Sequence, residues 1–234
     1  MVEIPDTPVS LLHRISSIVS SNRSVEEMLG EIIGLTAQVT ECDACLVYLI
    51  DHDTREIVLR ASQVPHAMAL GALRMQMGEG ITGWVARQKQ QVAIARGANK
   101  DSRFKYFRNL PEDKFEAFLS VPIMTKRGVV GVINIQHKKP HDHSAMEINL
   151  LTAIGKLVGG AVENARLIEE TFSLKEALEL RKLVEKAKGI LMKRKHVSED
   201  EAYRTLQKES MDRRKTLKEI ADAIILAEQL DVTH

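Results

Sequence analysis

The chain concentrates its positive charge between Arg181 and Lys218. Arg181, Lys182, Lys186, Lys188, Lys193, Arg194 and Lys195 run past one acid, Glu185, and Arg204, Lys208, Arg213, Arg214, Lys215 and Lys218 follow. Over all 234 residues the formal net charge is only +1, so the clustering carries the information and not the total. Closely spaced Lys and Arg neutralise phosphate, with an affinity that falls as salt rises. Arg204, Gln207, Arg213 and Arg214 put planar and polar groups among these charges.

Three further constellations invite chemistry. Cys42 and Cys45 form a C-x-x-C, but two thiols alone do not build a structural zinc site and no second pair completes one. We read them as small, semi-buried residues where a helix gives way to a strand, with a redox switch as the alternative. His137, His141 and His143 stand together in QHKKPHDHS, where Lys138 and Lys139 oppose a cation. The expectation there is a solvated turn without a metal. Gly78, Gly80 and Gly83 have the spacing of a dinucleotide loop, but that loop needs a parallel βαβ setting, and the neighbouring segments read as antiparallel. No Ser/His/Asp set, phosphate loop or metal cluster stands out, so the chain is expected to be neither an enzyme nor dependent on a cofactor.

The elements that must position these residues follow two periods. Ser24 with Glu27, Ser144 with Glu147, Ser198 with Glu201, and Thr216 with Glu219 are S/T-x-x-E capping boxes, which satisfy the orphan N–H groups of a first helical turn. A helix is expected from Val9, with Leu11, Leu12, Ile15, Ile18 and Val19 on one face, and a second after Ser24. The period then falls to two. Cys45–Asp51 and Glu56–Gln63 read as a hairpin, Leu73–Ala95 as strand, glycine turn, short helix and strand, and Ala117–His137 as a second hairpin about Thr125–Gly128. Between them, residues 96–116 form a long polar loop carrying Phe104, Tyr106 and Phe107, the kind that covers binding sites.

From Ser144 onward no proline interrupts the helix-forming residues. An unbroken helix here would run for about 50 residues and ~75 Å. Ile154, Val158, Ala161, Ala165, Ile168 and Phe172 alternate four and three apart, a heptad seam for a homodimer, with Gly155, Gly159 and Gly160 admitting a second helix. The seam breaks at Lys175 and restarts out of phase at Leu174 and Leu178. The alternative is two helices with a bend near Thr171–Ser173. Apolar residues then recur at helical spacing in three segments: Val184, Ala187, Ile190 and Leu191; Ala202, Tyr203 and Leu206; Leu217, Ile220, Ala221 and Ile224.

Within those segments AKGILM (Ala187–Met192), E-A-Y-x-x-L (Glu201–Leu206) and S-M-D-R-R-x-T-L (Ser210–Leu217) resemble an ANTAR domain, the RNA-binding module of bacterial antitermination regulators. The resemblance implies binding to paired RNA hairpins. By motif and charge it points to Lys188, Gly189, Lys193, Arg194, Arg204, Ser210, Arg213, Arg214 and Lys215. Upstream, G-E-G-I-x-G-W-V-A, D-S-R-F, F-L-S-V-P-I and G-V-V-G-V-I-N resemble a GAF domain, closest in flavour to the one heading the nitrogen-branch phosphotransferase enzyme I. This implies an antiparallel sheet with a small ligand between sheet and lid, and Trp84, Asp101, Arg103, Phe104, Phe107, Phe118 and Val121 as candidates for its pocket. Asn99 and Lys100 match the cyclic-nucleotide pattern, but the following F-x-x-x-D-E is missing, which disfavours cyclic GMP. The thiols lie away from the lid, against a bilin, and haem would rest on His66 alone.

The fold class expected is α+β. Residues 1–8 form a flexible start, 9–168 an antiparallel-sheet GAF sensor, 169–182 a helical linker, and 183–234 a three-helix ANTAR bundle. No apolar run approaches the ~20 residues that span a bilayer, and MVEIPDTPVS lacks the basic-then-apolar pattern of a signal peptide. The expectation is a cytoplasmic homodimer with RNA and a small-molecule effector as partners and no membrane. A helix-turn-helix DNA-binding regulator is the competing reading, since T-L-K-E-I-A echoes such proteins. The apolar residues on several sides of the last helix argue against a recognition helix.

Overall fold

A computed structural model describes residues 8–21, 23–63, 70–105 and 115–231. The chain divides into two compact units, Met1–Ala165 and Arg166–His234.

The first unit is built on a six-stranded antiparallel sheet. Its strands are β1 (Ala44–Ile50), β2 (Ile57–Ser62), β3 (Arg74–Met75), β4 (Val92–Ile94), β5 (Ala117–Thr125) and β6 (Gly128–His137), in the order β3-β2-β1-β6-β5-β4. Both expected hairpins form, with Tyr48 opposite Leu59 in one and Val121 opposite Ile133 in the other. Because side chains alternate along a strand, each strand feeds two cores. Cys45, Val47, Leu119, Val121, Ile133 and Ile135 face one side; Ala44, Leu46, Tyr48, Phe118 and Val132 face the other.

Helices cover both faces. Helices α1 (Pro8–Val19) and α2 (Val25–Thr40) bring Leu11, Ile15, Leu29 and Ile32 to the first core. Ser24 and Glu27 close the expected capping box at the start of α2. On the second face α3 (Gly80–Gln88) supplies Ile81, Val85 and Ala86. The three spaced glycines make the turn that leads into it. Gly78 has φ +92° and its N–H donates to the Gly83 carbonyl at 2.8 Å, while a Cβ on Gly83 would lie 2.6 Å from the Gln76 carbonyl. Every strand pairing around this turn is antiparallel, so it has no dinucleotide-binding context.

Helix α4 runs without interruption from Ala145 to Lys195. Ser144 and Glu147 cap its first turn reciprocally. The alternative of two helices with a bend near Thr171–Ser173 is not realised, since local propensity through that stretch is helical and no proline stops it. Among the described residues α4 is the one helix long and apolar enough by composition to cross a bilayer, yet Leu151, Ile154 and Val158 are fully buried in the core against the sheet.

The second unit contains the end of α4, then α5 (Glu199–Arg213) and α6 (Leu217–Asp231). Its core is Val184, Ala187, Leu191, Ala202, Leu206, Ile220 and Ala221. The turns between helices are set by left-handed residues, His196 at φ 54° and Arg214 at φ 53°, followed by capping boxes at Ser198/Glu201 and Thr216/Glu219.

Candidate functional site

In the helical unit the expected cations fall into two groups. One group is already neutralised. Lys188 is buried, with its ammonium 2.7 Å from Glu185 and 2.6 Å from Glu199, and these two carboxylates raise its pKa. Arg194 pairs with Glu228, Arg213 with Glu209, and Lys215 with Glu219. Ser210 donates its hydroxyl to the Lys215 carbonyl at 2.5 Å and so closes the α5–α6 turn. Lys188 therefore departs from the expectation of a phosphate-binding residue. At that helical position its side chain turns inward, where a charge survives only when paired.

The second group is open. Lys193, Arg204 and Arg214 are exposed and form no ion pair among the described residues. Lys186 and Lys193 lie seven residues apart on one stripe of α4, with Gly189 between them. A Cβ on Gly189 would meet nothing within 4 Å, and its φ is not positive. Among the described residues neither packing nor backbone conformation calls for a glycine there. On α5, Ala202 and Leu206 turn inward, which leaves Arg204, Gln207 and Lys208 outward. Tyr203 is 38% exposed. Its place beside Ala202 in the helical apolar pattern does not bury it. Ala202 and Leu206, four apart, already fill the inward stripe of α5. Lys195, Arg213 and Lys215 rim a groove of about 860 Å³ floored by Leu191, Ile220 and Ile224, but Glu209 and Glu219 stand in the same rim.

In the sheet unit the lid-side candidates come together only in part. Arg103 donates to Asp101 through Nε and Nη2, each at 2.8 Å, and its guanidinium lies 4.7 Å from the centroid of the Trp84 ring. The Arg103 hydrogen bonds hold the Asp101 carboxyl below its ordinary pKa. Phe104 and Phe118 pack into the same second core. Val121 does not. It lies three residues beyond Phe118 on β5, an odd offset that sends it to the opposite face, among α1, α2 and α4. Phe107 and His66 lie outside the described residues. A closed polar chain was not anticipated: Ser120 Oγ donates to Asn134 Oδ1 at 2.6 Å, and Asn134 Nδ2 donates to Thr82 Oγ1 at 2.8 Å, tying α3 to the sheet.

The C-x-x-C is more deeply placed than expected. Cys42 and Cys45 are both free and buried, and a thiol–thiol hydrogen bond pulls Cys42 down in pKa and pushes Cys45 up. The histidine group is not a solvated turn. His137 is buried, its ring stacks on His141 at 4.0 Å, and His143 lies edge-on to His141 at 5.0 Å. Burial lowers the His137 pKa and pushes His143 to about 4. Burial would raise Glu147, but the Ser144 N–H and His141 outweigh it and hold the carboxyl below its usual range.

The expected dimer seam divides. Ile154 and Val158 are fully buried in their own core, and Ala161, partly buried, packs against it. Gly155 and Gly159 belong to the same contact: a Cβ on either would meet a carbonyl of β5, Pro122 and Met124 respectively. Heptad spacing does not distinguish a partner helix from the chain's own sheet. Ala165 is half-buried, while Ile168 and Phe172 are 62% and 63% exposed, together with Leu174 and Leu178.

Comparison with known proteins bears on both units. The GAF domain model matches residues 22–163, more than half of the chain, and the ANTAR domain model matches residues 173–225. The phosphoenolpyruvate-dependent phosphotransferase system protein of Escherichia coli (strain K12) is 28% identical over 156 residues, 67% of this chain and 21% of its own length. The transcriptional regulatory protein PdtaR of Mycobacterium tuberculosis (strain ATCC 25618 / H37Rv) is 39% identical over 77 residues, 33% of this chain and 38% of its own. The chain thus spans well under half the length of these curated relatives. Among solved structures, the GAF domain of the Acinetobacter phosphoenolpyruvate-protein phosphotransferase aligns with a TM-score of 0.64 at 27% identity, over 70% of this chain and 98% of that one.

Proposed function

The chain belongs to the GAF domain family and carries an ANTAR domain over residues 173–225, and from this we propose that it is a cytoplasmic, signal-responsive antitermination regulator that binds hairpin RNA. The observation that carries the reading is the stripe Lys186–Gly189–Lys193. A glycine inside a helix costs roughly 0.5–1 kcal/mol relative to alanine. Among the described residues nothing lies within 4 Å of a Cβ built there, and cations stand on either side along the same stripe. That arrangement suits close approach of a phosphate backbone, with Arg204 and Arg214 as further unpaired cations and Tyr203 as a face on which an unstacked base can lie. Arg194, Arg213 and Lys215 take part after exchanging their carboxylate partners for phosphate. Lys188 and Ser210 act by holding the bundle together.

DNA recognition fits less well. A recognition helix presents polar side chains that suit phosphates and base edges, whereas the exposed side of α6 sets Lys218 and Gln229 among the acids Glu219 and Asp222, which repel phosphate, and the apolar Ala223, Leu226 and Leu230. A gel shift at stated salt, with a two-hairpin leader RNA against duplex DNA, tests the choice. We expect preference for the RNA, and Lys193→Ala to weaken binding across RNA sequences while lowering the salt slope by about 1. Preference for the duplex, or a slope that ignores Lys193→Ala, would overturn the reading.

Input is assigned to the sheet unit. The Arg103 guanidinium, fixed by Asp101 over Trp84, and the neighbouring Phe104 and Phe118 are the residues we assign to a small effector. Two chains pair through the exposed stretch Ile168–Leu178 of α4, which presents two RNA-binding units to two hairpins.

A further inference from the structure

Four side chains that the proposed function does not use converge at one end of the sheet. His137 ends β6, His141 and His143 lie in the connection that follows, and Glu147 sits in the first turn of α4. One nitrogen or oxygen from each lies within 4.8 Å of those of the other three. The backbone holds them there. The His141 N–H donates to the Ala95 carbonyl at the end of β4, and the Lys138 N–H donates to Asp43 at the start of β1. Glu147 divides its carboxylate: Oε2 accepts from the Ser144 N–H at 2.8 Å, while Oε1 faces His141 Nε2 at 2.8 Å.

The hydrogen bonding around these rings is incomplete. His137 is only 7% exposed, yet its Nε2 has no partner, and both ring nitrogens of His143 are buried without one. Buried polar atoms in folded proteins are almost always satisfied, and the exceptions call for a water, an ion or a functional role. Water fits poorly as the sole answer, because three unpaired ring nitrogens here share their space with a carboxylate oxygen. An ion that accepts one lone pair from each ring satisfies His137 Nε2 and one nitrogen of His143 together, and leaves the proton on the other His143 nitrogen. Lys138 and Lys139, which oppose a cation when the sequence is read alone, have exposed side chains.

We propose that His137, His141, His143 and Glu147 form a tetrahedral site for a divalent transition metal of borderline softness, of which zinc is the type. Three imidazoles and one carboxylate are a zinc-like donor set, and thiolate-preferring metals find no sulfur among these four. A tetrahedron with metal–ligand bonds of ~2.0 Å has edges of about 3.3 Å, so ring rotations moving the ligand atoms by about 1 Å close the site. A proton shared by His141 and Glu147 leaves to solvent on binding. All four positions are filled by protein, which makes the site structural and not catalytic. It pins the first turn of α4 to the end of β6, where the chain passes from the sheet into the long helix.

The test uses the full chain, stripped with chelator and titrated with zinc chloride against a chromophoric zinc indicator, with cobalt(II) as the spectroscopic probe. We expect one zinc per chain, tetrahedral cobalt d–d bands without thiolate charge transfer, and a rise in melting temperature of roughly 5–10 °C at a hundredfold excess over Kd. His143→Ala and Glu147→Gln should each weaken zinc by about a hundredfold or more, whereas His52→Ala and Cys42→Ser should not. Glutamine can still serve in a capping box, so Glu147→Gln removes the anionic ligand while keeping the helix start. If His143→Ala does not fold, Glu147→Gln alone decides. Absence of stoichiometric zinc in the folded wild type, octahedral cobalt, or zinc affinity indifferent to Glu147→Gln overturns the site. None of these outcomes involves RNA, so the metal site and the RNA-binding reading fail separately.

Discussion

Gly159 and Gly189 lie on one helix in opposite surroundings. A Cβ on Gly159 would run into the Met124 carbonyl of β5, and one on Gly189 would meet nothing within 4 Å. The first glycine is explained inside its own unit, because it lets α4 settle onto the sheet. The second weakens the helix without easing any contact among the described residues. The same contrast extends to the apolar residues. Ile154 and Val158 are sealed against the sheet, while Ile168 and Phe172 continue the same heptad spacing into solvent. A single sequence pattern therefore serves the chain's own core at one end of the helix and faces outward further along.

The contrast breaks most visibly if the buried and exposed parts of the pattern respond alike. Trp84 is the only tryptophan and lies in the sheet unit, so its fluorescence in urea reports that unit alone, while ellipticity at 222 nm follows all helices. Ile154→Ala should cost about 2–5 kcal/mol by fluorescence, the usual range for emptying a packed core site. Ile168→Ala should change it by less than about 0.5 kcal/mol while reducing the dimer fraction in analytical ultracentrifugation. A stability loss of several kcal/mol for Ile168→Ala would mean that the residue is packed within its own chain.

The glycines sharpen the same point at a smaller scale. Gly159→Ala should destabilise the sheet unit by about 1–3 kcal/mol, because the new methyl meets backbone that has to shift. Gly189→Ala should instead stabilise the helical unit by about 0.5–1 kcal/mol and weaken hairpin RNA in a filter-binding assay. Tighter folding with unchanged RNA affinity would leave Gly189 without a role in RNA approach.

The smallest effect concerns pH. The Lys215 ammonium, with the Thr216 N–H and hydroxyl, holds the exposed Glu219 carboxyl at about 2. The unfolded value is ~4.3. The folded value is the lower one, so this contribution is complete above about pH 4.5 and is lost as pH falls through about 2. Glu219→Gln should flatten the acid limb of the 222 nm stability curve in that window and leave the Trp84 signal unchanged. An unaltered limb would mean that the cap contributes no pH dependence.

Much of the architecture was legible in the residues. The capping boxes at Ser24, Ser144, Ser198 and Thr216 depend on local hydrogen bonds three residues apart, so spacing alone locates them. The hairpins are fixed by alternation and a tight turn, and both form where the sequence places them. Site residues were harder to read, because their roles depend on direction. Phe118 and Val121 look alike as apolar neighbours on β5, yet an odd offset sends them to opposite faces. Lys188 looks like any other lysine of the cationic run until the helix turns it toward Glu185 and Glu199.

By itself, then, the sequence determined what local rules govern: where helices start, where the period changes from 3.6 to 2, which segments are cationic, and the GAF and ANTAR motifs. Only the tertiary structure decided which of those groups face each other. It buried the first half of the heptad seam against β5, paired Lys188, Arg213 and Lys215 with carboxylates, and left Lys193, Arg204 and the space beside Gly189 open. It also brought His137, His141 and His143 against Glu147, three short steps of chain that the end of β4 and the start of β1 fold into one cluster. The physical reason is that spacing fixes the angle at which a side chain leaves its own element, whereas burial, charge pairing and ligation depend on what another element places opposite it.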